Sequence, residues 1–391
     1  MAHRKRTVVS ALALMALASS LAVTSVNPAM AGPLPIPPIP TIPPIPSLLP
    51  IPTFPPFPGG AFEVGLFGDM PYGPYGRMKY PNVIADMNRT DLAFSVFDGD
   101  IKNGSEPCYA DTHTPTDTTT PDMAVANTAH PDVYKYALNL FGQFRDPVVY
   151  VPGDNEWTDC DRPSIQGGAK SDSNDRLAYL RGLSYPTDRS LGQRTIPLIR
   201  QSAAYPENVR WSQGPVTFIG LNIPGSDNNF ADGDKNGPAA QGQAEYAARN
   251  AANLEWLLAG FAAAKAAHSK GVMIVIQADM WDPTATVTHF ADTKAELARQ
   301  SIAFDGKVVL VNGDSHSFEI DKPLTDATPV NNALGIPGPF VIENFTRVTT
   351  FGEAQNHWVS ATIDANDPNV FTFHQHLVTA NLPTYSPPPT P

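Results

Sequence analysis

The chain has 391 residues, of which 16% are charged and 42% hydrophobic, and it carries a net charge of −12. An acidic balance of this kind disfavours a nucleic-acid backbone or an anionic membrane surface as partner. It leaves a phosphorylated substrate open, because a bound cation reverses the sign locally.

In chain order, residues 1–31 read as an export signal. "MAHRKR" is a basic start, "TVVSALALMALASSLAV" an apolar stretch, and Ala29-Met30-Ala31 has the small-x-small shape of a cleavage site. A secreted or extracytoplasmic mature protein is expected. No later segment is long and apolar enough to span a bilayer, so no transmembrane helix is expected after cleavage. Residues 32–60 form a proline-rich, low-complexity spacer containing "PLPIPPIPTIPPIPSLLPIPTFPPFP". Proline lacks the N–H that a ladder needs and favours extended polyproline II. Residues 381–391 form a proline-rich tail, expected to be disordered, which leaves 61–380 as the folded domain.

Within it, "FEVGLF" (62–67), "LAFSVF" (92–97), "PVVYV" (147–151), "VTFIGL" (216–221), "VMIVIQ" (272–277) and "KVVLV" (307–311) are predicted strands. They are β-branched or aromatic runs closed by Gly, Pro or Asp. Residues 132–144 and 241–268 are predicted helices. "HWVSATI" and "VFTFHQ" near the end read as an antiparallel pair. Strands alternating with helices indicate an α/β layer structure with a mixed sheet. Long polar loops are expected at 101–130 and 153–173, with a shorter one at 222–237. The two cysteines, Cys108 and Cys160, are expected to pair, since an exported chain meets an oxidising compartment.

The informative residues stand at the strand ends. Asp69, Asp100 and Asp154 come after the first three strands, Gln277 ends the fifth, and Asp314 and His316 come after the sixth. In open α/β sheets ligands bind at the carboxyl ends of strands. Any one Gly-Asp is ordinary turn chemistry. Several in register imply carboxylates that face one another, and like charges at close range need a compensating cation.

The ordered series "GDMP", "DGD", "GDNE", "IQAD" and "GDSH" resembles the motif order of the calcineurin-like metallophosphoesterase superfamily over about residues 62–375. "GDNEWTDC", "AANLEWLLAGFAAA" and "NFTRVTTFGEAQNHWV" look similar to a secreted bacterial branch of that family. The resemblance implies a β-sandwich of two mixed sheets flanked by helices, α/β/β/α. It also implies hydrolysis of a phosphate mono- or diester through a metal-bound hydroxide at a two-metal site. Carried over residue by residue, one ion would meet Asp69, Asp100 and His316, and the other Asp100, Asp154, Gln277 and Asp314. Asp100 bridges them.

The departures matter as much. Pro71 stands where the family has the first histidine, Asn155 where it has the acid histidine, Gln277 where it has a lone histidine, and Asp314 where it has another. In the second site, where carboxylate and amide oxygens replace imidazole, the donors favour hard cations, magnesium, manganese or calcium. Asp100, Asn155 and His316 are the expected catalytic set, with Glu156 supporting the loop. His113, Asp159 and His289 are loop candidates for the missing acid, and Arg347 could meet phosphate. The expected partner is a phosphorylated small molecule or ester. Because the family histidines are substituted, a catalytically weak or inactive domain that binds metal or a phosphorylated ligand is the alternative.

Overall fold

Along the first apolar run, Val64 and Leu66 enter one hydrophobic cluster and Phe67 another. This is the two-residue alternation of a strand buried on both faces. The computed structural model describes residues 60–110, 132–162, 164–165, 170–230, 239–325 and 341–383, within a unit spanning Pro46–Pro391. The export signal, the spacer up to its last residue, and His113 lie outside the described residues.

The first half of the chain contributes β1 (Ala61–Phe67), α1 (Gly73–Met87), β2 (Leu92–Phe97), α2 (Val133–Phe141), β3 (Val148–Tyr150) and α3 (Ser173–Ser184). There follow β4 (Ile199–Arg200), β5 (Val209–Gln213), β6 (Val216–Gly220), α4 (Ala239–Ala266), β7 (Gly271–Val275) and α5 (Ala291–Ile302). The chain closes with β8 (Lys307–Asn312), β9 (Glu319–Asp321), β10 (Phe345–Thr349), β11 (Trp358–Asp364) and β12 (Phe371–His376).

Two mixed sheets result. One has the order β12-β11-β1-β2-β3, with β1, β2 and β3 parallel and β11 and β12 antiparallel. The other has the order β4-β5-β6-β7-β8-β10-β9, with a parallel centre from β6 to β10. Three apolar layers define the architecture. Val64, Val96, Phe218, Met273, Val309 and Val359 fill the space between the sheets. Tyr80, Val83, Ile84 and Met87 of α1 join α2 and α3 on the outer face of the first sheet. Leu257 and Phe261 of α4 and Leu297 of α5 cover Ile274 and Leu310 on the second. The arrangement is the expected α/β/β/α sandwich.

Three differences from the sequence reading are physical. The Gly-, Pro- and Tyr-rich "MPYGPYGRMKY", which lies in no predicted element, opens α1, with proline in its first turn where the missing N–H costs nothing. "VRWSQ" (209–213) lacks an apolar run yet is a fully buried strand, because Trp211 stacks on Phe218 and the Arg210 guanidinium lies over Trp256. Asn381, placed in the tail, is buried; it accepts from Asn82 and donates to the Asn356 carbonyl. Among the described residues no helix is long and apolar enough to cross a membrane.

Candidate metal centre

Both sheets direct the carboxyl ends of their parallel strands to one place. The loops there are stitched together by backbone donors. Asp69 N–H donates to the Gly99 carbonyl at 2.8 Å, Gly313 N–H to the Gln277 carbonyl at 3.0 Å, and Asp314 N–H to the Asp69 carboxylate at 3.0–3.1 Å. Asp69, Asp100, Asp314 and His316 hold φ of 50°, 67°, 72° and 60°. Non-glycine residues enter that region at a cost of about 1–3 kcal/mol, usually where surrounding structure enforces it. Gly99, at φ 110°, makes the turn before Asp100 possible.

The result is two triads sharing one residue. Ligand atoms of Asp69, Asp100 and His316 all lie within 4.8 Å of one another, as do those of Asp100, Asp154 and Asp314. Carboxylates from separate strand-end loops thus meet at Asp100, and by charge and spacing the cluster can hold divalent ions. It opens to solvent beside His316 and Arg162, whose side chains are 31% and 38% exposed, while Asp69 and Asp154 are buried.

Hydrogen bonds converge on Asp100 Oδ2. It accepts from the Tyr72 hydroxyl at 2.9 Å, from Asn155 Nδ2 at 2.7 Å and from Gln277 Nε2 at 3.2 Å. Its other oxygen accepts from Asn155 N–H at 3.1 Å. On the far side, the Ser226 hydroxyl lies 2.7 Å from both Asp154 Oδ2 and Asp159 Oδ1, and Arg162 reaches Ser226 at 2.7 Å and Asp159 at 2.7 Å.

Electrostatics follow from crowding. Burial first, then repulsion from Asp154, Glu156, Asp69 and Asp314, raises the Asp100 carboxyl well above the usual range. Asp314 is raised by burial and then by Asp154 and Asp69. Burial alone would lower His316, but its bond and charge attraction to Asp69, 3.3 Å away, raise it. Arg162 is held above the ordinary guanidinium value: burial opposes this, and Asp159, Asp154, Asp100 and Asp314 outweigh it. A divalent cation would relieve the same repulsion.

The donor chemistry separates the triads. His316 donates from Nδ1 to the Glu353 carbonyl at 3.1 Å, so Nε2, which bonds Asp69 while protonated, would offer its lone pair to an ion on giving up that proton. Tyr72 accepts from Asn155 Nδ2 at 2.9 Å and keeps one further oxygen lone pair. The first triad therefore fits an ion. In the second, Gln277 was expected to offer its oxygen. The structure turns it the other way: Oε1 accepts from Gly225 N–H at 2.5 Å, and Nε2 faces Asp100, Asp154 and Asp314 at 3.2 Å each. An amide nitrogen has no lone pair for a metal.

Glu156 is buried and accepts from Asp100 N–H at 2.8 Å and the Tyr150 hydroxyl at 2.9 Å, holding the loop in place. Cys108 and Cys160 form a disulfide with Cα atoms 5.5 Å apart. Among the acid candidates, Asp159 joins the edge of the cluster through Ser226. His289 instead pairs with Asp227 at 2.6 Å and stacks on Phe230. Arg347 is not placed to meet substrate: it is buried and occupied by Asp279, Glu319 and Asp321. It works indirectly, since Asp279 N–H donates to Asp314 Oδ2 at 3.2 Å. His357 bonds backbone atoms and His376 stacks on Trp358, so neither reaches the cluster.

Sequence reasoning missed Asp98, Arg162 and Ser226. Asp98 stands two positions before Asp100; it accepts from Thr350 at 2.9 Å, and its other oxygen is buried without a hydrogen-bond partner among the described residues. Burial and then Asp69 raise its carboxyl well above the usual range, as suits a protonated acid.

No family model matches the chain, and no curated protein does. Among solved structures, a dimetal phosphatase from Danio rerio aligns at 11% identity and a TM-score of 0.48, covering 81% of this chain and 96% of that one. GAP50, the anchor in the inner membrane complex of Plasmodium, aligns at 11% identity and a TM-score of 0.41, covering 85% and 99%.

Proposed function

We propose that this protein is an exported, metal-dependent phosphoesterase of the calcineurin-like kind, akin to a secreted bacterial branch, that hydrolyses a phosphate mono- or diester. One observation carries the reading. Asp69, Asp100, Asp154, Asp314 and His316, scattered across the sequence, meet around Asp100 with ligand spacing. Asp69, Asp100 and His316 would hold a hard divalent ion, magnesium, manganese or calcium. Such an ion supplies charge neutralisation and an acidified water.

The chain's own groups do the rest. Arg162, half-exposed beside Ser226 and Asp159, is the cation placed to meet phosphate oxygens, and its guanidinium keeps further N–H donors beyond those contacts. Tyr72, which burial and then Asp100 and Asp69 hold well above the usual phenol value, stays protonated and donates to Asp100. Asn155 fixes the orientation of Asp100 but cannot give up a proton.

That last point favours a second reading, a catalytically weak or inactive domain that binds metal or a phosphorylated ligand. Turnover of a chromogenic monoester and diester with magnesium, manganese or calcium separates the two. Rates above those of Asp100→Ala support the enzyme. Equal rates with every ion support the binding domain.

A further inference from the structure

We propose that this chain binds one divalent ion tightly, at Asp69, Asp100 and His316, and that the side-chain amide of Gln277 holds Asp100, Asp154 and Asp314 together where a second ion would otherwise do so. The inference rests on the metal site proposed above and assigns its stoichiometry.

The amide orientation is fixed by its partners. Gly225 N–H is a donor only, so the Gln277 atom 2.5 Å from it must be the oxygen. The nitrogen therefore lies opposite, 3.2 Å from one oxygen each of Asp100, Asp154 and Asp314. Those three oxygens belong to the residues of the second triad. The amide has two N–H bonds and no lone pair on nitrogen, so it shares protons among carboxylates and offers an ion nothing.

Turning it over is opposed from every side. Gln277 is fully buried, and its backbone is pinned by Gly313 N–H at 3.0 Å and the Ile223 carbonyl at 3.3 Å, which fixes where the side chain starts. A flipped amide would aim N–H at N–H across the Gly225 contact, leaving two buried donors without acceptors. Gly225 closes the same space from the other direction. A Cβ added there would stand 2.7 Å from Asp314 Oδ2 and 2.8 Å from Asp154 Oδ2. The first triad has no such stopper, because the group at its centre, the Tyr72 hydroxyl, retains one oxygen lone pair beyond the one that accepts from Asn155.

The experiment is metal counting on the full chain after dialysis against chelator, by calorimetric titration with manganese(II) chloride and magnesium chloride, with electron paramagnetic resonance of the manganese form. One equivalent, with the spectrum of an isolated ion, is expected. Asp69→Asn should lose it and Asp154→Asn should retain it. Gln277→His, which restores a lone pair, should take up a second equivalent and show spin coupling. Two tight equivalents in the unaltered chain would overturn this inference while leaving the metal site standing. So would one equivalent that Asp154→Asn removes and Asp69→Asn spares. No uptake at all would end both this inference and the reading beneath it.

Discussion

Asn155 Nδ2 lies 2.7 Å from Asp100 Oδ2 and 2.9 Å from the Tyr72 hydroxyl oxygen. An amide therefore stands where the resemblance places a proton donor to the leaving group. Without that donor, hydrolysis should depend steeply on leaving-group acidity, nitrophenyl esters reacting and alkyl esters barely so. General acid catalysis is worth about 10²–10⁴-fold. Asn155→His should raise kcat/KM for alkyl esters by about 10²-fold or more and change nitrophenyl esters little. A series of esters graded by leaving-group pKa measures this. A flat dependence in the unaltered protein would show that another group supplies the proton.

Cys108 and Cys160 join the loop after Asp100 to the turn after Asp154 across a separation of 52 residues. Constraining an unfolded loop of that length stabilises by about 4 kcal/mol in the chain-entropy account, with about 2–4 typical of measurement. Replacing both cysteines by serine should lower the unfolding free energy by about 2–4 kcal/mol. It should also weaken manganese affinity, because Asp100 and its supporting loop lose their tether. Urea unfolding and calorimetry separate the effects; unchanged affinity would leave the bond as a staple of the fold alone.

Gly225 lies too close to two carboxylates for any side chain. Gly225→Ala places a methyl 2.7–2.8 Å from Asp314 and Asp154 oxygens, closer than carbon and oxygen pack without movement. Either the acidic loops separate or the Gln277 contact stretches. Overpacking of this kind costs about 1–3 kcal/mol. Urea unfolding should show that loss, and phosphoesterase activity should fall with it. A variant as stable as the parent would mean the loop after Gly225 yields freely.

Most of this cluster was legible because its candidate ligands come directly after apolar strands. Asp69, Asp100, Asp154 and Asp314 each come after a Gly at the end of such a run, and the parallel strands of the two sheets bring those ends together. What was not legible depends on one loop meeting another. Nothing local in Ser226 or Arg162 announces Asp154 or Asp159, and the meeting is made by four successive residues, Ser226–Asn229, at positive φ. The Gln277 side chain shows the same limit. Its position at a strand end was readable, but its orientation is decided by Gly225, far away in sequence. Buried arginines hid strands as well: Arg210 and Arg347 break the apolar rhythm of β5 and β10 because each has a dedicated partner, Trp256 for one and three carboxylates for the other.

The support beneath Asp314 gives a pH test. Lys294 of α5 is buried near Asp279, Arg347 and the Trp281 ring, and burial lowers its ammonium to about 8. Asp279 opposes that shift and Arg347 adds to it. Below about pH 8 the lysine is charged whether folded or unfolded, and the full burial penalty weighs on the folded state. Between about pH 8 and the ordinary lysine value of 10.5, the unfolded chain binds the proton and the folded one does not. Stability contributed by this group therefore rises with pH across that window. Lys294→Met removes the penalty. It should be the more stable protein at neutral pH, and its advantage should shrink as pH approaches 10.5. Tyrosines titrate in both proteins, so the difference between their urea unfolding curves isolates the lysine. A gap that widens with pH would mean the ammonium stabilises the fold, through Asp279, more than its burial costs.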